Sequence, residues 1–189
     1  MSEREKPELL AQVPLVAEVP KLSSDDRAFL DHLKKINDTF YDQIRIADQK
    51  AAYIFTFMVA FLVSSAEGRA VFDPARYHGA DRVVLVLSAL LAGAVLVSLI
   101  AAILVVLPRN HKATGTSLYW GGWPVNREKF LHARRSDDPD WLFSEYLGNV
   151  DALSAINRKK YRFVATAFRA LMVTVVCYCL LLGWGTRPI

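Results

Sequence analysis

The pattern of apolar residues along the chain predicts three helices that cross a membrane. The strongest run, 83–107, has no charged residue in 25 positions and ends at a Pro-Arg pair. A helix needs about 20 apolar residues to cross a hydrocarbon core of about 30 Å. Residues 51–66 form a shorter uncharged run, and 163–184 form a longer run that contains Arg169. The sequence therefore predicts an all-α fold with three transmembrane helices.

Neither of the two outer runs matches the bilayer fully, because one is short and the other contains a charge. Residues 51–66 would form a helix of about 24 Å, which spans only where the bilayer thins or flanking residues help. The long side chain of Arg169 can carry its charge to the headgroups if it lies near a helix end. A cleaved export signal is not predicted, because the first apolar run begins only at residue 51, behind a charged segment.

The distribution of Lys and Arg predicts the orientation. Eight precede the first run, ten lie between residues 108 and 162, and three lie between 67 and 82. The positive-inside rule then places the N-terminus and the 108–162 region in the cytoplasm, and 67–82 in a short periplasmic loop. The net charge of +4 is explained by this bias and by contact with anionic headgroups, so no nucleic-acid partner is expected.

The segment before the first crossing predicts a long helix. Residues 1–22 hold three prolines and no periodicity, so we expect a mobile leader there. Ser23 to Asp26 resemble a helix cap followed by acids, and no Pro or Gly interrupts 23–66. The apolar stripe of this amphipathic helix consists of Leu30, Leu33, Ile36, Phe40 and Ile44. The helix could continue into the first crossing, or could lie on the membrane surface instead.

The 108–162 region predicts a cytoplasmic helical region. An aromatic and glycine-rich turn precedes a short helix at 126–135, which is broken before Pro139. From Asp140 a second long helix can run into the third crossing, 163–186. Two long helices would then connect a cytoplasmic helical bundle directly to the membrane.

No pattern in the sequence predicts catalysis or a metal. The four histidines are scattered, and no Cys/His cluster or glycine-rich phosphate loop is present. Cys177 and Cys179 lie inside an apolar run and are expected to pack rather than react. The crossings contain no Asp or Glu, so a selective ion pathway is not indicated. A lipid-modifying enzyme, the third functional class considered, would depend on His111 or His132.

Small residues recur on one face of the second crossing. Ala94, Ser98 and Ala102 are spaced by four residues, a pattern that lets two helices approach closely. We expect these residues to pack helices, and a homo-oligomer in the lipid bilayer is favoured.

Three local patterns, taken in order, resemble the transmembrane effector family of Pycsar antiphage defence. Ile46–Ala51, before the first crossing, resembles the family's "aDxKA" segment. Leu118–Gly122 places an aromatic pair and glycines before a helix with Lys129. Asn157–Arg162 resembles "ARKYR" just before the last crossing. Together the patterns extend over about residues 40 to 185.

The resemblance implies a bacterial inner-membrane effector that is silent until phage infection. A pyrimidine nucleotide cyclase would then make cyclic CMP or cyclic UMP, and this ligand would switch the effector to impair membrane integrity, which kills the cell or arrests its growth. No cofactor is implied. The usual β-barrel domain for cyclic nucleotides is missing, because no soluble segment is long enough, so helices would bind the ligand, across a subunit interface.

A cyclic nucleotide requires a cation for its phosphate and an aromatic face for its base. The predicted ligand-binding residues are Arg45, Asp48, Lys50, Trp120, Trp123, Arg158, Lys159 and Tyr161. Asp48 and Lys50 could instead form salt bridges between the two long helices, and the tryptophans could form an interfacial aromatic belt. For the whole chain, the alternative is a non-catalytic membrane adaptor whose cytoplasmic helices dock a soluble partner.

Overall fold

The computed structural model describes residues 24–78, 81–107, 116–119 and 121–185. Within these ranges every regular element is a helix, which confirms the predicted all-α fold. The predicted leader, 1–22, lies outside the described residues, as does the predicted site residue Trp120.

Five α-helices and one short 3-10 helix follow each other along the described chain. They are α1 (Ser24–Ser64), α2 (Ala66–Ala70), the 3-10 helix (Pro74–Tyr77), α3 (Arg82–Val106), α4 (Trp123–Ser136) and α5 (Pro139–Gly185). Among the described residues, three helices are long and apolar enough to cross a membrane. These candidate spans lie in Asp26–Ser64, Arg82–Val106 and Pro139–Trp184, which confirms the predicted number of crossings.

Two of the helices are much longer than a bilayer is thick. α1 has 41 residues and α5 has 47, so they measure about 60 and 70 Å, against about 30 Å of hydrocarbon. α3, with 25 residues, measures about 37 Å and fits one crossing. Each long helix therefore has a polar half that continues without a break into an apolar half.

The apolar halves of α1 and α5 pack with α3 into a three-helix bundle. Small side chains at many of the contacts let the helices approach closely. The most completely buried apolar residues of the bundle are Ala47, Ala51, Met58, Leu91, Val95, Ala102, Val105 and Ala167. The predicted ridge of Ala94, Ser98 and Ala102 is buried within this single chain, and the Ser98 hydroxyl donates to the Ala167 carbonyl (3.0 Å). Any contact between copies must therefore use other faces.

The segment between α1 and α3 is a structured cap on one end of the bundle. Arg76 pairs with Glu67 and donates to the Ser88 hydroxyl of α3 (2.8 Å). The Tyr77 hydroxyl donates to the Val71 carbonyl (2.6 Å). These contacts tie the predicted loop, 67–82, to α3.

α4 packs against the start of α5 through aromatic rings. It begins at Trp123, three residues earlier than predicted, because Pro124 suits the first helical turn, where no N–H is needed. It ends at Ser136 and is followed by the cap residue Asp137, whose φ of 47° is tolerated by a short polar side chain. The Phe130 ring lies 5.6 Å from the Trp123 ring and 5.8 Å from the Trp141 ring, centroid to centroid.

Candidate functional site

The polar halves of α1 and α5 meet through buried polar side chains. Asn37 on α1 and Asn149 and Asn157 on α5 are each at most 6% exposed. The Asn149 amide donates to the Asn37 side-chain oxygen (2.5 Å). Buried amides need such partners, because an unpaired polar group away from water is costly.

Asn157 lies two turns further along α5 and bonds to the α1 backbone. Its amide nitrogen donates to the Phe40 carbonyl (3.2 Å) and to the Gln43 side-chain oxygen (3.5 Å). Its own side-chain oxygen is buried and accepts no hydrogen bond within the described part of the chain. This oxygen is an acceptor that a donor from a ligand could satisfy if the helices moved apart.

An ion pair closes this interface at the membrane end of the polar halves. The Lys160 ammonium bonds to the Asp48 carboxylate, and the lysine side chain is 9% exposed while the aspartate side chain is 36% exposed. Beyond this pair, the charged residues that remain in the two helices are Lys50 of α1 and Arg162 and Arg169 of α5. We call the contacts of Asn37, Asn149, Asn157, Asp48 and Lys160 the α1–α5 polar interface.

A cation and an aromatic ring lie together next to this ion pair. The Lys50 ammonium is 6.0 Å from the centroid of the Tyr161 ring. The Tyr161 hydroxyl donates to the Gln43 carbonyl (3.5 Å), and its side chain remains partly exposed. The structure thus brings together two predicted site residues, Lys50 and Tyr161, while a third, Asp48, pairs with Lys160, the residue before Tyr161.

The other predicted site residues are less closely grouped. Arg158 and Lys159 are exposed on the turn of α5 that precedes Tyr161. Arg45 is exposed and pairs with Asp42 on its own helix (3.2 Å).

Trp123 is far from this group. It contacts Phe130, which contacts Trp141, and Trp141 precedes Tyr161 by twenty residues, or about 30 Å of helix. Within one chain, Trp123 and Tyr161 therefore do not line the same site.

Lys160, Asn157 and Gln43 are interface residues that were not among the predicted site residues. By residue type alone, Lys160 belongs with the basic residues that indicate orientation. Its spacing in the sequence indicates burial. The buried stripe of α5 has one residue every three or four positions and consists of Asn149, Leu153, Asn157, Lys160 and Val164. A lysine in such a stripe needs a carboxylate partner.

The turn before α4 is fixed to α5 by further polar contacts. The Glu145 carboxylate accepts from the Ser117 backbone N–H, and Thr116 is buried with its methyl group near Gly148. A Cβ at residue 148 would lie 3.2 Å from that methyl group, so a larger residue would require the methyl group to shift by a few tenths of an ångström. Gly148 therefore serves the packing of this turn, and α5 continues through it.

The described residues offer hydrogen-bonding and ionic groups rather than a reactive centre. No group of three His, Cys, Asp or Glu side chains among them could hold a metal ion. His132 is exposed on α4, while His111 lies outside the described residues. The α1–α5 polar interface consists of groups that form hydrogen bonds and ion pairs between two helices.

Comparison with protein families decides which class of protein this is. Residues 32–186, most of the chain, match the Pycsar effector protein domain. The chain belongs to the Pycsar effector family. The resemblance seen in the sequence is thereby confirmed, and this Pycsar effector is an antiphage-defence effector with the helices of a multi-pass membrane protein. Membership in this family is also consistent with a non-enzymatic effector.

No curated protein and no solved structure matches this Pycsar effector significantly.

Proposed function

We propose that this Pycsar effector is activated by a cyclic pyrimidine nucleotide, cyclic UMP or cyclic CMP, and then impairs the bacterial inner membrane. Loss of membrane integrity would kill the infected cell or arrest its growth. The effector would depend on a pyrimidine nucleotide cyclase for its ligand and would turn over no substrate. Its N-terminus and the polar halves of α1 and α5 would lie in the cytoplasm, where the basic residues concentrate.

The observation that carries this proposal is the continuity of α1 and α5. Each helix runs without a break from the α1–α5 polar interface into the three-helix bundle. A helix transmits a shift or rotation along its length, because its backbone hydrogen bonds hold the turns together. A ligand that changes the polar interface would therefore also move two of the three spans.

Polar contacts suit an interface that must rearrange. When two apolar helix faces separate, each exposes apolar surface to water. Asn37 and Asn149, or Asp48 and Lys160, can exchange their mutual bonds for bonds to water or to a ligand at much lower net cost. The interface is therefore suited to two alternative arrangements.

The ligand's chemistry matches the side chains beside the ion pair. The cyclic phosphate carries one negative charge, for which Lys50, Arg158 and Lys159 are available. The pyrimidine ring would stack on Tyr161 and replace the Lys50 ammonium there. Asp48 would accept from the ribose hydroxyl or an exocyclic amine.

The remaining predicted residues, Arg45, Trp120 and Trp123, would join this site only as contributions from a second copy. The ligand must favour the active state by about 5.5 kcal/mol to move the equilibrium from 1:99 to 99:1. Several contacts, or several ligands bound to an oligomer, would supply that energy.

The test is the membrane potential of bacteria that express this chain with a cyclase specific for cyclic CMP or for cyclic UMP. Depolarisation with one cyclase and not with its catalytically inactive variant would support the proposal and identify the ligand. Cell fractionation would show whether the protein is in the inner membrane. An intact potential with both cyclases, in cells whose membranes contain the protein and whose cytoplasm contains the nucleotide, would contradict gating and favour the adaptor.

A further inference from the structure

A polar stripe on α5 continues from the basic end of the α1–α5 polar interface into the membrane-spanning part. Arg158, Arg162, Thr166 and Arg169 follow one another at intervals of three or four residues and so share one face of the helix. All four are exposed. The Thr166 hydroxyl donates to the Arg162 carbonyl of its own helix (3.0 Å). We call these residues the α5 basic stripe.

The register between α3 and α5 shows how deep the stripe reaches. The Ser98 hydroxyl donates to the Ala167 carbonyl, so these two residues lie at the same level. Ser98 is eight residues, or about 12 Å, from the Val106 end of α3. Arg169 lies two residues beyond Ala167, about 3 Å further from that end. Arg169 is thus about 15 Å inside the bundle, near the middle of a hydrocarbon core of about 30 Å.

At this depth Arg169 has no carboxylate within reach. It forms no hydrogen bond or ion pair with the described residues. The spans 51–64, 83–107 and 163–184 contain no Asp or Glu, so a second copy could not supply a carboxylate either. An arginine in hydrocarbon is costly, and residues of this kind usually face protein or a water-filled cavity. We therefore expect water or an anion to be the partner of Arg169.

Among the described residues, the interior of the single bundle holds no water-filled space. Val95, Ala102 and Ala167 lie at its centre and are at most 1% exposed, so the three helices leave no passage between them. Most residues in the apolar half of α5 are not buried in the chain, and the basic stripe is on the outward side. A passage bordered by the stripe can form only between chains.

We infer that the α5 basic stripes of several copies of this chain face one another around a water-filled path that favours anions. This inference rests on the proposed membrane-permeabilising function and specifies the path. It departs from the expectation that no selective ion pathway is indicated, because that expectation considered only acidic residues. Rings of Arg or Lys select anions in pores, as rings of Asp or Glu select cations. Arg158 and Arg162 would attract anions at the entrance, and Thr166 and Arg169 would line the narrow part.

The test is ion selectivity of the full-length protein in proteoliposomes under a potassium chloride gradient, with cyclic CMP or cyclic UMP added. The reversal potential should show a preference for chloride in the wild type. Arg169→Gln should lower the chloride-to-potassium ratio severalfold, Arg169→Glu should reverse the preference, and Arg169→Lys should retain it. Arg135→Glu, on the exposed surface of α4, is the matched control and should behave as wild type. Selectivity unchanged in both Arg169→Gln and Arg169→Glu would overturn the inference, because the stripe would then face lipid headgroups drawn into the bilayer.

A second measurement separates failure of this inference from failure of the proposed function. If neither nucleotide makes the wild type conduct, the proposed gating is wrong, and thiol labelling decides the environment of the stripe. In a Cys177→Ala/Cys179→Ala background, Thr166→Cys should react with a membrane-impermeant thiol reagent. Phe168→Cys, exposed on a different face at nearly the same depth, should not react. Equal protection of both positions would overturn the inference.

Discussion

Lys160 of α5 and Asp48 of α1 form an ion pair where both long helices change from polar to apolar sequence. The lysine is almost fully buried, and its ammonium would be unpaired without the aspartate. This pair fixes the relative position of the two helices at the edge of the three-helix bundle. The outer part of the α1–α5 polar interface uses amides instead.

Removing one member of this pair should destabilise the protein. Asp48→Asn leaves a buried ammonium without its carboxylate, and we expect the free energy of unfolding to fall by about 1–3 kcal/mol, between the values for exposed and buried pairs. Denaturant unfolding in detergent would measure this change. Replacing both residues with leucine should recover most of the loss, because no charge is then buried. Equal stability of Asp48→Asn and wild type would show that the pair contributes nothing.

The buried amides should affect both stability and activation. Asn149→Ala leaves the Asn37 side chain without its buried partner, at an expected cost of about 1–3 kcal/mol. The double variant Asn37→Leu/Asn149→Leu should be at least as stable as wild type. It should also need a higher nucleotide concentration for depolarisation, because separating α1 from α5 now exposes apolar surface. A double variant that is activated at the wild-type concentration would contradict a role for this contact in switching.

The helices α3 and α5 lie close together at Ser98, so a larger side chain at this position should destabilise the protein. Ser98→Ala removes one hydrogen bond, at about 1 kcal/mol, whereas Ser98→Leu also forces the helices apart and should cost about 1–3 kcal/mol more. The difference would appear as a lower unfolding temperature in detergent. Val97→Leu, at the neighbouring exposed position, is the control and should leave the temperature unchanged. Equal effects at the two positions would mean that the α3–α5 contact is not the one described.

The aromatic row should hold α4 on α5. Phe130 lies between Trp123 and Trp141, so Phe130→Ala removes both ring contacts. We expect faster hydrogen exchange of the backbone amides of α4, with unchanged exchange in α3, because α4 would open locally. Phe143→Ala, an exposed residue on α5, provides the comparison. Unchanged protection of α4 in Phe130→Ala would assign its docking to other contacts.

Nucleotide affinity should depend on the group beside the ion pair. Tyr161→Ala removes a stacking surface worth about 1–3 kcal/mol, which corresponds to about 5- to 150-fold in Kd. Lys50→Gln removes one cation and should weaken binding in the same direction. Equilibrium binding of labelled cyclic CMP and cyclic UMP to the detergent-solubilised protein would measure both. Lys35→Gln, exposed on the polar half of α1, is the charge-matched control. Wild-type affinity in correctly folded Tyr161→Ala would place the site elsewhere.

Two residues that the sequence selected by type are neighbours in the structure. Lys50 and Tyr161 lie near the start of the first and third crossings and contact each other, whereas Asp48 pairs with Lys160. Trp123 is also an aromatic residue that could stack on a base, yet in the structure it packs against Phe130 within α4. Its position depends on how the chain turns between α3 and α5, which residue type does not specify.

The sequence by itself determined the helical fold and the three candidate spans. Both follow from local properties, since an uncharged run of sufficient length is stable in hydrocarbon only as a helix that satisfies its own backbone. The tertiary structure decided which faces are buried and at what register. Asp48 pairs with Lys160, which follows it by 112 residues in the chain, and Ser98 bonds to Ala167, which follows it by 69 residues. Such pairs are selected by the packing of small side chains between helices, which is why the level of Arg169 relative to α3 became apparent only in the folded chain.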